Sequence, residues 1–208
     1  KTTAVVLPTG LCKSIVAFLI LANILPKKIL FLAPTKPLVT QHYQSCKKFI
    51  KIDESDIAMF SGSVSTEKRK ELFKKAKIII STPQTIENDL KLGLYDINAF
   101  ALIIFDEMHK AIGNYAYVAV AKEFKGLVLG LTASPGSKRK KIKIIFENLK
   151  INNIESRTRD DPDVREHVKE IDFEWVKVPM DEGLRKVQAP VYNLFLERYA
   201  KLAKLGIL

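Results

Sequence analysis

Six strand-length apolar runs recur along the first 131 residues, and segments of helical periodicity lie between them. The runs are Thr3 to Leu7, Ile29 to Ala33, Ile57 to Phe60, Lys77 to Ser81, Ala101 to Phe105 and Leu127 to Leu131. Apolar residues at helical spacing fill Lys13 to Leu25, Pro37 to Phe49, Thr66 to Lys75 and Thr85 to Leu92, with Pro37 and Pro83 placed where a helix can begin. Several runs are apolar on both faces, as strands buried between two helical layers must be. The pattern therefore predicts an α/β fold, a mostly parallel sheet with helices on both faces. In such sheets, functional sites form from the loops at the carboxyl ends of the strands.

Beyond Leu149 the character changes. Asn152 and Asn153 precede a charged run from Arg157 to Arg165, a strand-like piece from Asp172 to Val178, and apolar residues at helical spacing from Gly183 to Leu208. Residues 1–158 read as the α/β domain, 159–180 as a connector with one strand, and 181–208 as the start of a helical insertion. Because Lys1 and Thr2 abut a core strand and Leu208 ends inside a helical pattern, the chain is expected to be a piece of a longer protein. The flanks of Trp175 alternate like a strand, which favours packing over base stacking.

Composition narrows the function classes. The chain carries a formal charge of +11, and the excess is confined to residues 1–154, which are +12 while 155–208 are −1. A basic surface of this size suits a polyanion, although a Lys-rich solvated surface gives the same count. Two cysteines cannot build a disulfide framework, so a reducing, cytoplasmic location is expected. The longest apolar stretch, Ile15 to Leu25, is too short for a membrane span and contains Asn23.

Three strand ends carry chemistry. The first run ends in Leu7-Pro8-Thr9-Gly10-Leu11-Cys12-Lys13-Ser14 and passes directly into an apolar helix. In a phosphate-binding loop, backbone N–H groups and the helix N-terminus hold phosphates, a Lys reaches the β and γ phosphates, and a hydroxyl ligates Mg²⁺. The strict pattern wants Gly at the positions of Leu7 and Cys12, so the loop alone also reads as an ordinary strand-to-helix turn. The fifth run emerges into Asp106-Glu107-Met108-His109. One of two adjacent carboxylates there can hold Mg²⁺ while the other orients or deprotonates water, as phosphoryl transfer requires. Two solvated acids capping a helix are the alternative. Gly130-Leu131-Thr132-Ala133-Ser134-Pro135 follows the sixth run and by itself reads as a Ser/Thr turn.

The ordered set resembles the first RecA-like (P-loop) lobe of a superfamily-two helicase of the DExH kind. The first-strand loop resembles motif I; Ala33-Pro34-Thr35-Lys36-Pro37-Leu38-Val39, motif Ia; Ser81-Thr82-Pro83-Gln84-Thr85, motif Ib; Asp106 to His109, motif II; and Thr132-Ala133-Ser134, motif III. "APTKPLV", "STPQT", "LTASPGS", "DPDVREHV" and "FEWVKV" most resemble the branch of archaeal Hef helicases and Fanconi anaemia group M translocases. The resemblance implies ATP and Mg²⁺ as cofactors. It implies Thr9, Gly10, Leu11, Cys12, Lys13 and Ser14 as the nucleotide loop, with Lys13, Asp106 and Glu107 catalytic and Ser14 and Asp106 holding the metal. His109, Thr132 and Ser134 would couple nucleotide state to lobe movement. Pro34, Thr35, Lys36, Thr82, Gln84 and Thr85 would bind the nucleic-acid backbone, which positions a strand without reading its sequence.

On that resemblance the chain is the ATP-binding lobe of an ATP-dependent DNA helicase or translocase acting on forked or branched DNA. The expected longer protein would add a second lobe and could carry a nuclease domain, with no membrane partner. Alternatives are a double-stranded-RNA-dependent ATPase of the same superfamily and a non-hydrolysing nucleic-acid-binding module. Family members carry Gly where Cys12 stands, and a Cβ there penalises a loop conformation that Gly adopts freely. Without a second lobe to supply arginine fingers, which contribute about 10³ to 10⁵ in rate, this chain alone is expected to hydrolyse little or no ATP. The basic run Lys138-Arg139-Lys140-Lys141 falls on an expected helix whose buried side would be Ile142, Ile144 and Ile145.

Overall fold

In the computed structural model, residues 1–136, 138–165 and 174–206 are described, Asp163 for its backbone only. The chain divides into two compact units, Lys1–Val168 and Lys169–Leu208.

The first unit is built on a seven-stranded sheet. Its strands are β1 (Thr3–Val6), β2 (Ile29–Leu32), β3 (Ile57–Phe60), β4 (Ile78–Ser81), β5 (Leu102–Phe105), β6 (Leu127–Thr132) and β7 (Asn153–Ser156). They are ordered β3-β4-β2-β5-β6-β1-β7, and every described pairing is parallel. The helices α1 (Lys13–Ile24), α2 (Lys36–Phe49), α3 (Thr66–Lys75), α4 (Pro83–Lys91), α5 (Ala116–Glu123), α6 (Arg139–Asn148) and the short α7 (Pro162–Arg165) complete the unit.

Alternation along each strand feeds two cores. Ile29 and Phe31 of β2 point to one face, where Phe18 and Leu21 of α1 and Val39 of α2 cover them. Leu30 and Leu32 point to the other, against Ile86 of α4, Tyr117 and Val120 of α5, and Ile145 of α6. Strands β2, β4 and β5 are buried throughout, so a polar residue on either face would lose hydration without a partner. This is the RecA-like architecture expected from the sequence.

A buried ion pair ties two of the covering helices. The Arg69 side chain of α3 donates from Nε and from Nη2 (2.5 Å) to the Asp89 carboxylate of α4, which is fully buried and also accepts from the Tyr95 hydroxyl at 3.1 Å. The carboxylate raises the Arg69 pKa, and burial keeps the Tyr95 phenol far above its usual range.

Some expectations fail. Strand β7 arises from Asn153-Ile154-Glu155-Ser156, a mostly polar and exposed tetrapeptide, because the free edge of β1 offers it a full ladder. In α6, Ile145 is buried but Ile144 is 46% exposed, so the apolar face is narrower than the three isoleucines suggest. Glu174 to Val178 form no strand and Trp175 is 95% exposed, since alternation yields a strand only where a sheet edge receives it; Asp172 and Phe173 lie outside the described residues. The second unit contains α8 (Glu182–Lys204), capped by the Asp181 carboxylate accepting from the Leu184 N–H. Its apolar stripe, including Leu184, Val187, Val191, Phe195 and Leu202, is exposed. No helix among the described residues is long and apolar enough to cross a membrane.

Candidate active site

Parallel pairing fixes where the strand ends meet. Strands β5, β6 and β1 are neighbours, with Phe105 level with Gly130 and Val6 level with Thr132. The loops that leave β1 with Lys13 and β5 with Asp106 therefore emerge on one rim of the sheet. Two inter-strand spacings separate them, roughly 10 Å, and the Thr132 loop lies between. That gap is of triphosphate size. Pro34 to Lys36 follow β2 and Thr82 to Thr85 follow β4, further along the same rim.

The β1–α1 loop is anchored by the Leu7 N–H donating to the Thr132 carbonyl at 3.1 Å. It then turns through two left-handed residues, Gly10 at φ +95° and Cys12 at φ 46°, ψ 44°. For Gly this conformation is free, whereas for Cys12 it is strained. The backbone N–H groups of Gly10, Cys12, Lys13 and Ser14 have no acceptor among the described residues. They sit at the positive end of α1, whose first turn contains no acidic residue. The Lys13 ammonium donates to the Leu7 carbonyl at 3.3 Å, folding back over the loop. Thr9, Gly10 and Cys12 are exposed, while Leu11, Lys13 and Ser14 are half-buried.

The acidic loop is held from every side. The Asp106 N–H donates to the Leu32 carbonyl at 2.9 Å, and its own carbonyl accepts from the Tyr117 hydroxyl at 2.6 Å. Its Oδ1 accepts from the Glu107 N–H at 3.0 Å and its Oδ2 lies 2.9 Å from His42 Nε2. Glu107 is left-handed at φ 50°, ψ 50°. Three non-glycine residues among those described have positive φ, and two of them, Cys12 and Glu107, flank this gap. Strain of this kind persists where surrounding structure over-determines it, typically at functional sites.

His109 links the acidic loop to the β6 loop. Its Nδ1 lies 3.2 Å from Glu107 Oε2 and 3.0 Å from Thr132 Oγ1. The Thr132 hydroxyl in turn donates to the Ser134 carbonyl and accepts from the Ser134 N–H. A proton on Nδ1 satisfies all of these at once. The Ser134 hydroxyl instead accepts from the Gly136 N–H, so it has no direct bond to His109.

Of the residues expected on nucleic acid, Thr35, Lys36 and Gln84 are exposed and Pro34 and Thr82 half-buried. Thr85 is buried, with its hydroxyl 2.9 Å from that of Thr82. Partial burial raises the phenol pKa of Tyr115. Sequence reading missed His42 and Tyr117: neither belongs to a motif, and their partner Asp106 lies 64 and 11 residues away.

The donor set suits a nucleotide with a hard cation. No cluster of three or more His, Cys, Asp or Glu among the described residues could cage a metal by itself. Mg²⁺, however, is ordinarily held by one or two carboxylates together with water and substrate phosphates, and the unpaired loop N–H groups supply the complementary phosphate seat.

Residues 1–137 match the family model of the type III restriction enzyme res subunit. A Methanocaldococcus jannaschii protein named as an ATP-dependent RNA helicase is 41% identical over 213 residues, covering 100% of this chain and 27% of its own length. The Fanconi anemia group M protein homolog of Mus musculus is 37% identical over 207 residues, covering 95% of this chain and 10% of its own length. The crystal structure of the Pyrococcus furiosus Hef helicase domain superposes with a TM-score of 0.80 at 44% identity, covering 100% of this chain and 45% of that one. This chain thus spans only between a tenth and about a quarter of the two curated relatives.

Proposed function

Because this chain belongs to the type III restriction enzyme res-subunit family of helicase domains, we propose that it is the ATP-binding lobe of a DNA helicase or translocase working on forked or branched DNA. Residues 1–158 form that lobe, 159–180 a connector, and 181–208 the beginning of a helical insertion; a second lobe belongs to the same longer protein. Such a protein works inside the cell, in the cytoplasm of an archaeon.

The observation that carries this reading is the emergence of Lys13 and the Asp106–Glu107 pair on one rim, with one strand between them. The N–H groups of the Thr9–Ser14 loop and the Lys13 ammonium take the β and γ phosphates. Ser14 and Asp106 hold Mg²⁺, which when bound supplies charge neutralisation at the phosphate oxygens. Glu107 accepts the proton of the attacking water. His109, with Thr132 and the Ser134 backbone, senses the position of Glu107 and passes it to the β6 loop. Pro34, Thr35, Lys36, Thr82 and Gln84 hold one strand by its phosphates, and Thr85 supports them by fixing the Thr82 hydroxyl. ATP closes two lobes on the strand and hydrolysis releases them.

DNA is favoured over RNA by relatives of Sclerotinia sclerotiorum and Schizosaccharomyces pombe, 37% and 40% identical, that are named ATP-dependent DNA helicases. A double-stranded-RNA-dependent ATPase is the second reading, favoured by the name of the M. jannaschii relative. Backbone-binding loops serve both substrates, and only contacts to the 2′-hydroxyl separate them. The test is ATP turnover by the full-length protein with forked DNA or duplex RNA, alongside E107Q. Stronger stimulation by the fork, abolished in E107Q, is expected; stronger stimulation by RNA overturns the choice of DNA, and no turnover with either leaves a non-hydrolysing binding module.

A further inference from the structure

His42 belongs to none of the motifs, yet it touches the residue on which the metal site depends. The residue is 3% exposed, on the second turn of α2. One face lies against Phe31, with ring centroids 4.5 Å apart, and an edge meets Phe18. A space filler in this position would be apolar, because a buried imidazole loses its hydration unless it finds a partner. Among the described residues only one of the two ring nitrogens finds one: Nε2 meets Asp106 Oδ2 at 2.9 Å, whereas Nδ1 is buried without a hydrogen bond. The carboxylate can only accept, so Nε2 carries the proton.

Asp106 is thereby gripped at both oxygens, Oδ1 by the Glu107 N–H and Oδ2 by the His42 ring. The first grip comes from the acidic loop itself. The second comes from a different element, 64 residues away in sequence. That element starts at Lys36, inside the loop proposed to hold nucleic acid, and His42 follows six residues later. At a rise of about 1.5 Å per residue, roughly 9 Å of continuous helix connects the two. A rigid rod therefore runs from the proposed strand-binding loop to the proposed metal ligand.

We propose that His42 is a positioning residue: it orients the Asp106 carboxylate for Mg²⁺ and ties that orientation to the placement of α2, so that strand engagement at Pro34–Lys36 tunes the nucleotide site. This rests on the reading of Asp106 as a metal ligand. It assigns His42 no contact with substrate.

The side-chain geometry supplies a discriminating pair of variants. Extended Gln places its amide nitrogen near the position of His Nε2, whereas Asn reaches only as far as Nδ1. In the full-length protein, the affinity of Mn²⁺ for the ADP complex is read by electron paramagnetic resonance for wild type, H42Q, H42N and H42L, and ADP binding is read separately in EDTA. Removing an outer-shell partner typically costs about 10- to 100-fold in metal affinity. H42N and H42L are expected to lose Mn²⁺ affinity on that scale and to show a smaller ratio of nucleic-acid-stimulated to basal ATP turnover. H42Q is expected to stay at the wild-type value, and metal-free ADP binding to be unchanged in all three. Equal behaviour of H42Q and H42N overturns the proposal, as does wild-type Mn²⁺ affinity in H42N. Should H42L fail to fold, the Gln and Asn pair decides alone. K13A and D106N separate the two levels: if they leave Mn²⁺·ADP binding intact, the metal-site reading itself fails, whereas if they abolish it while H42N does not, only the role of His42 fails.

Discussion

Replacing Cys12 by Gly is expected to stabilise the domain while leaving its fold unchanged. Cys12 occupies the left-handed region at φ 46°, ψ 44°, and its exposed side chain lies 3.9 Å from the Gly10 carbonyl, a long hydrogen bond. An L-residue pays about 1–2 kcal/mol for that conformation. Gly removes the strain but makes the unfolded chain more flexible, which returns about 0.4–1 kcal/mol. The net gain is about 0.5–1 kcal/mol, or roughly 1–4 °C in Tm for a domain of this size. C12A is the control, because Ala keeps the Cβ and therefore the strain. Differential scanning calorimetry should place C12G above wild type and C12A at or below it. The loop conformation as argued would be refuted by equal Tm values for C12A and C12G, or by a C12G below wild type. The same proteins test the nucleotide seat by titration with Mg·ATP: affinity rises in C12G if the Cβ crowds the phosphates. If neither form binds, the loop is not a phosphate seat.

Breaking the Arg69–Asp89 pair from one side should cost far more than removing both charges. R69M strands a fully buried carboxylate, a loss of about 3–5 kcal/mol in urea unfolding, whereas R69M/D89L should recover most of it; a single-variant loss below about 1 kcal/mol would show the pair to be solvated. G130A should destabilise by about 1–3 kcal/mol through overpacking, since a Cβ there would lie 2.5 Å from Met108 Sδ and 3.3 Å from Met108 Cβ. Met108 directly follows Asp106 and Glu107, so metal-dependent nucleotide binding should weaken with it. Burial pushes the Cys46 thiol up to about 12, whereas an unfolded thiol ionises near about 8.5. Between those values the unfolded chain has released a proton that the folded chain retains, so the Cys46 contribution is full below the lower value and is lost as pH rises toward the upper. Urea midpoints measured from pH 7 to about 11 should fall less steeply in C46V than in wild type.

The central strands were legible because they are buried on both faces, so Ile29 to Leu32, Ile78 to Ile80 and Leu102 to Phe105 cannot be anything but apolar runs. The loops were legible for a different reason: phosphate and metal chemistry demands particular residue types directly after particular strands, as at Lys13 and Asp106. What stayed hidden depends on long-range pairing. β7 is a strand only because β1 has a free edge, and its residues carry no apolar signal apart from Ile154. Asp172 to Val178 carries a stronger alternating signal, yet where it is described no strand forms. Thr85 looks like an exposed hydroxyl in a motif, but the turn of α4 buries it. His42 reads as one more polar residue of an amphipathic helix, and nothing local announces that its ring ends on Asp106.

In the proposed function, Lys13 and Asp106, on loops separated by β6, act on one bound triphosphate. A double-mutant cycle on Mg·ATP affinity, measured by calorimetry for wild type, K13M, D106N and K13M/D106N, tests it directly. Strong coupling is expected, with the double variant binding no more weakly than the poorer single one. Losses that simply add, to within about 0.5 kcal/mol, are what independent and distant sites give, and would contradict it.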